Sequence, residues 1–559
     1  MTPPQLRNSY QDRTSATKLR GQYFTPDALV TLMLDALAVE PGDRILDPSC
    51  GDGSFLRGAV AALRRRFPHV DGATLARHWR ERIIGFDIDE TAVADARRGL
   101  QAAFREHCEV EIPEEQLQVY HANPLDYPRR EDLLQTMGLS NECRRLLLVG
   151  NPPYVEAKRL SAETKRDLKE RYPDACSGAP DLYLYFLHLC LGWLGHDDQL
   201  AFVLPNKLLV NTNARRLRQR LLHEHRLRRL WLATETRLFT AAGVYPIVLF
   251  AGGAAAEPCE VEVVRMERSA EGGLSAGDPI PVAPALYAQT ASNAFYAPPA
   301  APVLREALET LLVGIARAPL DDVLDLRWTV SFHRAGLREH YVTPVAPNSP
   351  TARRFLGGGA FSGNGEVTRY GVRWGGWWID YDEERLRREG NCLPPLALFE
   401  RPKIVICQNG RTLRAAYDDE QFVLKDTLLC GVLREVDHPL RRHPRALVGL
   451  LCSAAVHFFY SHVFYGGHVS GGYLHFLRSF LVDVPLGEWT EARAAATESL
   501  VVERESAPTE TAALLEERIE EEVAAALGLT PEQHEAIRRW TAEDRNWRAR
   551  ERVRGPVSA

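Results

Sequence analysis

The sequence predicts an α/β fold, a doubly wound and mostly parallel sheet, followed by a mixed α+β region. Short apolar runs alternate with helical stretches across residues 45–150, and each run stops at a polar or glycine-bearing turn. Beyond residue 252 the composition shifts to Ala, Pro and Gly, and the later segments mix strand-like and helical patterns.

Residues 45–47 read as a short buried strand that enters the turn Pro48-Ser49-Cys50-Gly51-Asp52-Gly53, with a helix running on to Arg66. Two glycines let the backbone approach a ligand closely, and the helix N-terminus stands behind them. A second strand, 83–87, ends in the Asp87 carboxylate, where doubly wound folds hold ribose hydroxyls. A third, 117–122, stops at Asn123-Pro124, and a fourth, 146–150, delivers Asn151-Pro152-Pro153-Tyr154. Taken singly, a glycine turn is as often structural, and a strand-end Asp is often a helix cap. Four such ends in this order would face one carboxyl edge.

The tetrapeptide suits a planar amino group. Two prolines fix φ and remove two N–H donors, which leaves acceptors. The Asn151 side-chain oxygen and the Pro152 carbonyl can accept both hydrogens of one exocyclic NH2, while the Tyr154 ring offers a face to the flat system carrying it. Read without its context, the same tetrapeptide is equally an ordinary rigid turn.

With these motifs in order, residues 21–486 resemble the amino-group DNA methyltransferases, specifically the N6-adenine enzymes of the gamma motif arrangement found in restriction-modification systems. The resemblance implies a Rossmann-like S-adenosylmethionine-dependent sheet with a C-terminal DNA target-recognition domain. It assigns the cofactor S-adenosyl-L-methionine to Tyr23, Thr25, Asp47, Ser49, Gly51, Asp87, Ile88, Asn123, Pro124 and Asn151. Catalysis falls to Asn151, Pro152, Pro153 and Tyr154, with Phe239 closing the other face of the target base and Tyr245 as its alternate. Asn123 departs from the family, which usually has Asp there, so the cofactor adenine would meet an amide oxygen. Asp181-Leu182-Tyr183 and 200–206 resemble the later core helix and strand. Because adenine N6 lies inside the duplex stack, the base would have to be flipped out.

At 559 residues, 45% hydrophobic and 25% charged, the chain is long enough for two or three globular domains. The expected division is a catalytic domain over 1–253, a linker over 254–303, a recognition domain over 304–489 and a charged helical tail over 490–559. Ten cysteines without a Cys-x-x-Cys pair suggest neither zinc nor a disulfide framework, and reducing cytosol is the expected compartment. No leader pattern and no long apolar run is present, so no membrane association is expected.

The net charge of −6 conceals local basic runs. Arg215, Arg216, Arg218, Arg220, Arg226, Arg228 and Arg229 form the densest of them, and such runs are most often solvated faces. In the recognition region Arg353, Arg354, Arg411, Arg414 and Arg478 are candidate DNA contacts, though arginines of this kind more often form surface ion pairs than base contacts. The expected partners are double-stranded DNA and a separate restriction endonuclease. Three alternatives stand beside this reading: a protein-glutamine or RNA amino-group methyltransferase, a fused restriction-methylation enzyme, whose nuclease would be expected before Tyr23, and a non-catalytic DNA-binding module that keeps the fold.

Overall fold

The computed structural model describes residues 25–548, apart from 139–143, 176, 225, 234–244, 269–272, 333–339, 358–365, 392, 465–467 and 470–472. Tyr23 and Phe239 lie outside the described residues. The chain divides into two units, Met1–Pro284 and Ala285–Ala559.

The first unit is built on β1 (Arg44–Asp47), β2 (Ile83–Asp87), β3 (Gln118–His121), β4 (Leu146–Gly150), β5 (Gln199–Pro205), β6 (Leu227–Leu232), β7 (Pro246–Gly252), β8 (Val261–Arg268), β9 (Leu274–Ala276) and β10 (Ile280–Val282). Their order in the sheet is β10-β8-β6-β7-β5-β4-β1-β2-β3, with β9 added to β8. β1 to β5 run parallel, and β7 is antiparallel to both β5 and β6. Every residue of β1, β2 and β4 is buried, as expected for strands covered on both faces. Because β1 pairs with β2 on one side and β4 on the other, the strand order reverses there, and in open sheets of this kind ligands bind outside the carboxyl ends of the strands at that point.

Helices α1 (Asp27–Leu37), α2 (Ser54–Arg66) and α3 (Glu90–Cys108) cover one face, with Leu29, Phe55 and Phe104 in one core with Ile45 and Ile83. Asp89 starts α3 by accepting Thr91 N–H at 3.0 Å. Three further helices, α4 (Ala162–Arg171), α5 (Leu182–Trp193) and α6 (Arg215–His223), follow β4 and β5. Nearly all of α5 is buried, which matches its apolar composition on every side.

The expected linker over 254–303 is not irregular throughout. Its Val261-Glu262-Val263-Val264 run pairs β8 with β6, and β10 pairs with β8, so residues up to 282 belong to the large sheet. Flanking Ala, Gly and Pro masked a real alternating strand pattern.

In the second unit a four-stranded sheet contains Leu324–Arg327, Leu428–Leu433, Lys403–Cys407 and Ala415–Asp418 in that spatial order. Lys403 and Asp418 face each other across it, both fully buried, with Nζ 2.6 Å from the carboxylate and also donating to Phe399 O. The Leu324–Arg327 strand ends before Trp328, which is 56% exposed. Two helices follow one another closely, Pro444–Leu451 and Ala454–Val463, and Ser453 caps the second by accepting Val456 N–H. The C-terminal helices Glu491–Ser506 and Thr509–Ala526 pack into this unit: a Cβ at Gly449 would meet Thr497, Val501 and Ile519 at 3.2 to 3.3 Å. Among the described residues no single helix is long and apolar enough to cross a membrane.

Candidate active site

The turn after β1 is held by backbone geometry and one long-range carboxylate. Gly51 and Gly53 have φ of +54° and +81°, where L residues are strained, and a Cβ at Gly53 would lie 3.0 Å from Ala96. Cys50 N–H donates to Phe86 O, and Gly51 N–H donates to Asp87 Oδ2 at 2.9 Å, so the turn is fastened to the end of β2. The other Asp87 oxygen accepts Asp89 N–H at 2.9 Å. Burial raises the Asp87 carboxyl above its usual range.

Asp47 lies deeper. It is 1% exposed, accepts Ser49 N–H at 2.9 Å, and sits against the end of β4, where a Cβ at Gly150 would approach its Oδ1 to 2.6 Å. Burial pushes it up to about 8, with the Asp87 and Asp52 charges adding to the shift. A cationic ligand group brought here would restore the carboxylate. The Ser49 hydroxyl is buried with no hydrogen-bond partner among the described residues, and the space beside Gly51 is open. An orphaned hydroxyl, two acidic side chains and a glycine cradle fit a polar, partly cationic cofactor with ribose hydroxyls.

Ile88, just past β2, is 69% exposed, a flat apolar surface at the same edge. Asn123 follows β3, and both its polar ends are engaged by the Pro124–Asp126 turn: Oδ1 accepts Leu125 N–H at 3.3 Å and Nδ2 donates to Asp126 at 3.2 Å. Asn123 therefore caps a turn, whatever else it does; its oxygen retains a second lone pair.

Asn151 Nδ2 donates to Thr25 Oγ1 at 3.2 Å, a bond across 126 residues that brings the segment before α1 to the tetrapeptide. With Nδ2 so engaged, the amide orientation leaves Oδ1 as the group's acceptor. Pro152 is buried, and Pro153 and Tyr154 are half-buried. The Tyr154 ring meets Tyr183 of α5 edge-on, with centroids 6.1 Å apart and planes at 75°. Downstream of Tyr154 the chain is tied to α5 by Leu182 N–H to Val155 O and by Ala157 N–H to Asp181 Oδ1 at 2.9 Å. Tyr245, half-buried, accepts Asn206 N–H through its carbonyl at 2.8 Å.

Thr25, Asp47, Ser49, Gly51, Asp87, Ile88, Asn123, Pro124 and the 151–154 tetrapeptide thus lie at or beside the carboxyl edge of one sheet. Sequence reasoning passed over Gly150 and the Tyr183 contact. The signal for Gly150 was its place between an apolar strand and Asn151; Tyr183 gave none, because only packing brings its ring to Tyr154.

The basic run does not present one free face. Arg218 is fully buried and donates to the carbonyls of Leu208, Val210 and Asn211. Arg220 and Arg226 both pair with Glu224, and Arg229 pairs with Glu262. In the second unit Arg353 pairs with Glu400 at 3.7 Å, Arg354 with Glu420 at 2.6 Å and Arg478 with Asp325 at 3.9 Å, while Arg414 is buried. The ion-pair reading holds for these three. Among the described residues no group of His, Cys, Asp or Glu could hold a metal ion.

Residues 81–239 match the Eco57I restriction-modification methylase family, and residues 360–486 match the TaqI-like C-terminal specificity domain. The glycine turn lies upstream of the first match, and the tetrapeptide lies within it. The chain is 28% identical over 241 residues to the Type II methyltransferase M.BanIII of Aneurinibacillus aneurinilyticus, covering 40% of this chain and 37% of that protein. It is 24% identical over 221 residues to the Type II methyltransferase M.HincII of Haemophilus influenzae, covering 39% and 34%. The chain thus spans little more than a third of the length of these curated relatives. The Type IIL restriction-modification enzyme MmeI, solved in complex with DNA, shares the fold with a TM-score of 0.54 and 13% identity over 94% of this chain and 75% of that one.

Proposed function

We propose that this chain, which joins a restriction-modification methylase region to a TaqI-like specificity region, transfers a methyl group from S-adenosylmethionine to N6 of a flipped-out adenine in double-stranded DNA. The observation that supports this reading is that Asp47, Asp87 and Asn151 stand at the carboxyl ends of three adjacent parallel strands, with the glycine turn fastened to Asp87 and the end of β4 against Asp47.

Asp47 and Ser49 would hold the methionine end of the cofactor, Asp87 the ribose and Ile88 the adenine face, with Asn123 at the adenine edge. When bound, S-adenosylmethionine supplies an electrophilic methyl group on a sulfonium. The protein's share is positioning. Asn151 Oδ1 and the Pro152 carbonyl accept the two N–H groups of the target amine, which draws its lone pair out of conjugation with the ring. Tyr154 stacks on the base, and the Tyr183 edge fixes the plane of Tyr154. Thr25 holds the Asn151 amide so that its oxygen faces the amine. These acceptors are neutral and do not take the proton, which leaves to water once the nitrogen is cationic.

Flipping costs roughly a few kcal/mol, supplied by contacts to the DNA backbone and by the specificity region. A restriction-modification system is the proposed setting, with a separate endonuclease as partner. Adenine is favoured over cytosine because cytosine enzymes more often carry Ser where Asn151 stands.

The test is mass spectrometry of nucleosides from DNA incubated with the chain and labelled cofactor. N6-methyladenine is the expected product. Methylcytosine would overturn the base assignment, and label in protein or RNA alone would overturn the substrate class.

A further inference from the structure

Lys158, Arg159 and Lys207 gather beside the catalytic tetrapeptide. The first two lie on the turn Ala157–Arg159, three to five residues beyond Tyr154, and Lys207 lies on the turn Asn206–Leu209 that follows β5. β4 and β5 are parallel neighbours, with Gly150 opposite Phe202, so both turns leave the same sheet edge side by side. Lys158 Nζ is 2.8 Å from Glu156 and Arg159 Nε is 3.8 Å from the same oxygen. The Lys158 hydrogen bond, with the Lys207 and Arg159 charges adding to it, holds the Glu156 carboxyl below the usual carboxylate range. Asp181, on the same edge, is half-buried and already accepts Ala157 N–H. Lys158 is 75% exposed in its side chain, Arg159 is 44% exposed, and Lys207 is exposed as well.

We propose that Lys158, Arg159 and Lys207 form a cationic lip that grips the phosphates flanking the flipped nucleotide. This rests on the proposed function. A base inserted toward Asn151 leaves its own phosphates outside the pocket, at the edge these turns form. No sequence information is read there, because phosphate contacts position and do not specify. The basic run at 215–229, by contrast, contributes few free charges.

Neutralising a phosphate contact removes one released counterion, so the slope of log Kd against log salt should fall by about 0.9 for each lysine that touches DNA. Kd for a duplex would be measured from low to moderate salt for the wild-type chain, Lys158→Gln, Lys207→Gln and the double variant, with cofactor affinity and melting temperature measured alongside. The expected result is a slope reduced by about 1.8 in the double variant, at unchanged cofactor affinity. Lys207→Arg should keep the wild-type slope, and Lys169→Gln, an exposed lysine of α4, should leave it unchanged. An unchanged slope in the double variant overturns the lip, as does an equal fall in Lys169→Gln. If the wild-type chain methylates DNA and the slopes do not respond, the lip alone fails; if it methylates no DNA, the functional reading fails first.

Discussion

Gly150 gives way to Asp47: any Cβ at position 150 would stand 2.6 Å from Asp47 Oδ1. The strand that delivers Asn151 and the strand that delivers the buried acid can approach this closely only because one of them ends in glycine. Gly150→Ala should cost about 1–3 kcal/mol of stability through overpacking and weaken cofactor binding at least tenfold, since Asp47 must move. Thermal melting and calorimetric titration check this, and a variant with wild-type cofactor affinity would detach Asp47 from the cofactor.

The Asp47 carboxyl sets a pH dependence whose sign can be worked out. Its ordinary value is 3.8, and burial raises it to about 8 in the folded chain. The stability tied to the folded-state proton is complete below about pH 4 and is lost as pH rises through about 8. Asp47→Asn removes that loss, so the cofactor-free variant should melt higher than wild type at pH 8 while the two converge near pH 4. Cofactor affinity should move the other way: it should rise with pH toward about 8 in the wild type, and the Asn variant should bind more weakly with a smaller rise. Parallel pH profiles for the two chains would remove Asp47 from the site.

Asn151→Ala should abolish methyl transfer and leave cofactor binding nearly intact if, as proposed, its oxygen serves the target amine. Tyr154→Phe should be mild and Tyr154→Ala severe, at about 1–3 kcal/mol for one stacked base. Tyr183→Leu should fall between them, lowering the rate more than the affinity for DNA, because the Tyr183 ring orients Tyr154 without touching the base. Single-turnover rates set against duplex Kd separate these effects, and Tyr183→Leu at full rate would dismiss the edge contact.

Arg218 serves the fold. Arg218→Met would strand the Leu208 and Val210 carbonyls of the turn after β5, each costing about 1–3 kcal/mol when buried and unsatisfied. Chemical denaturation should report a loss of about 3 kcal/mol or more, and the salt dependence of DNA binding should stay as in wild type. A large fall in that salt dependence with stability intact would restore the phosphate-binding reading.

A chain ending at Gly253 would lack β8 to β10 and leave the β6 edge open, which invites aggregation. A chain ending at Pro284 keeps all ten strands. The longer truncation should fold and bind S-adenosylmethionine yet lose sequence-specific DNA binding. Comparing the two by light scattering, cofactor titration and binding to specific and random duplexes tests this; specific binding by the 284-residue chain would move recognition out of the second unit.

The sequence determined the parts whose signal is local. The strand ends at Asp47, Asp87 and Asn151 were legible because short apolar runs closed by glycine, acid or proline turns have one economical arrangement, a parallel sheet with its loops at one edge. β8 was hidden by its surroundings, since an alternating run within Ala, Gly and Pro looks like a connection until a neighbouring strand supplies its hydrogen bonds. Tertiary structure alone decided which cations are free. Arg218 and Lys207 look alike in sequence, yet one is buried against three carbonyls and the other is exposed beside Glu156. Likewise only packing turned Tyr183 toward Tyr154 and set the Asp47 carboxyl against Gly150, because a side chain's partners and its dielectric surroundings come from residues distant in the chain.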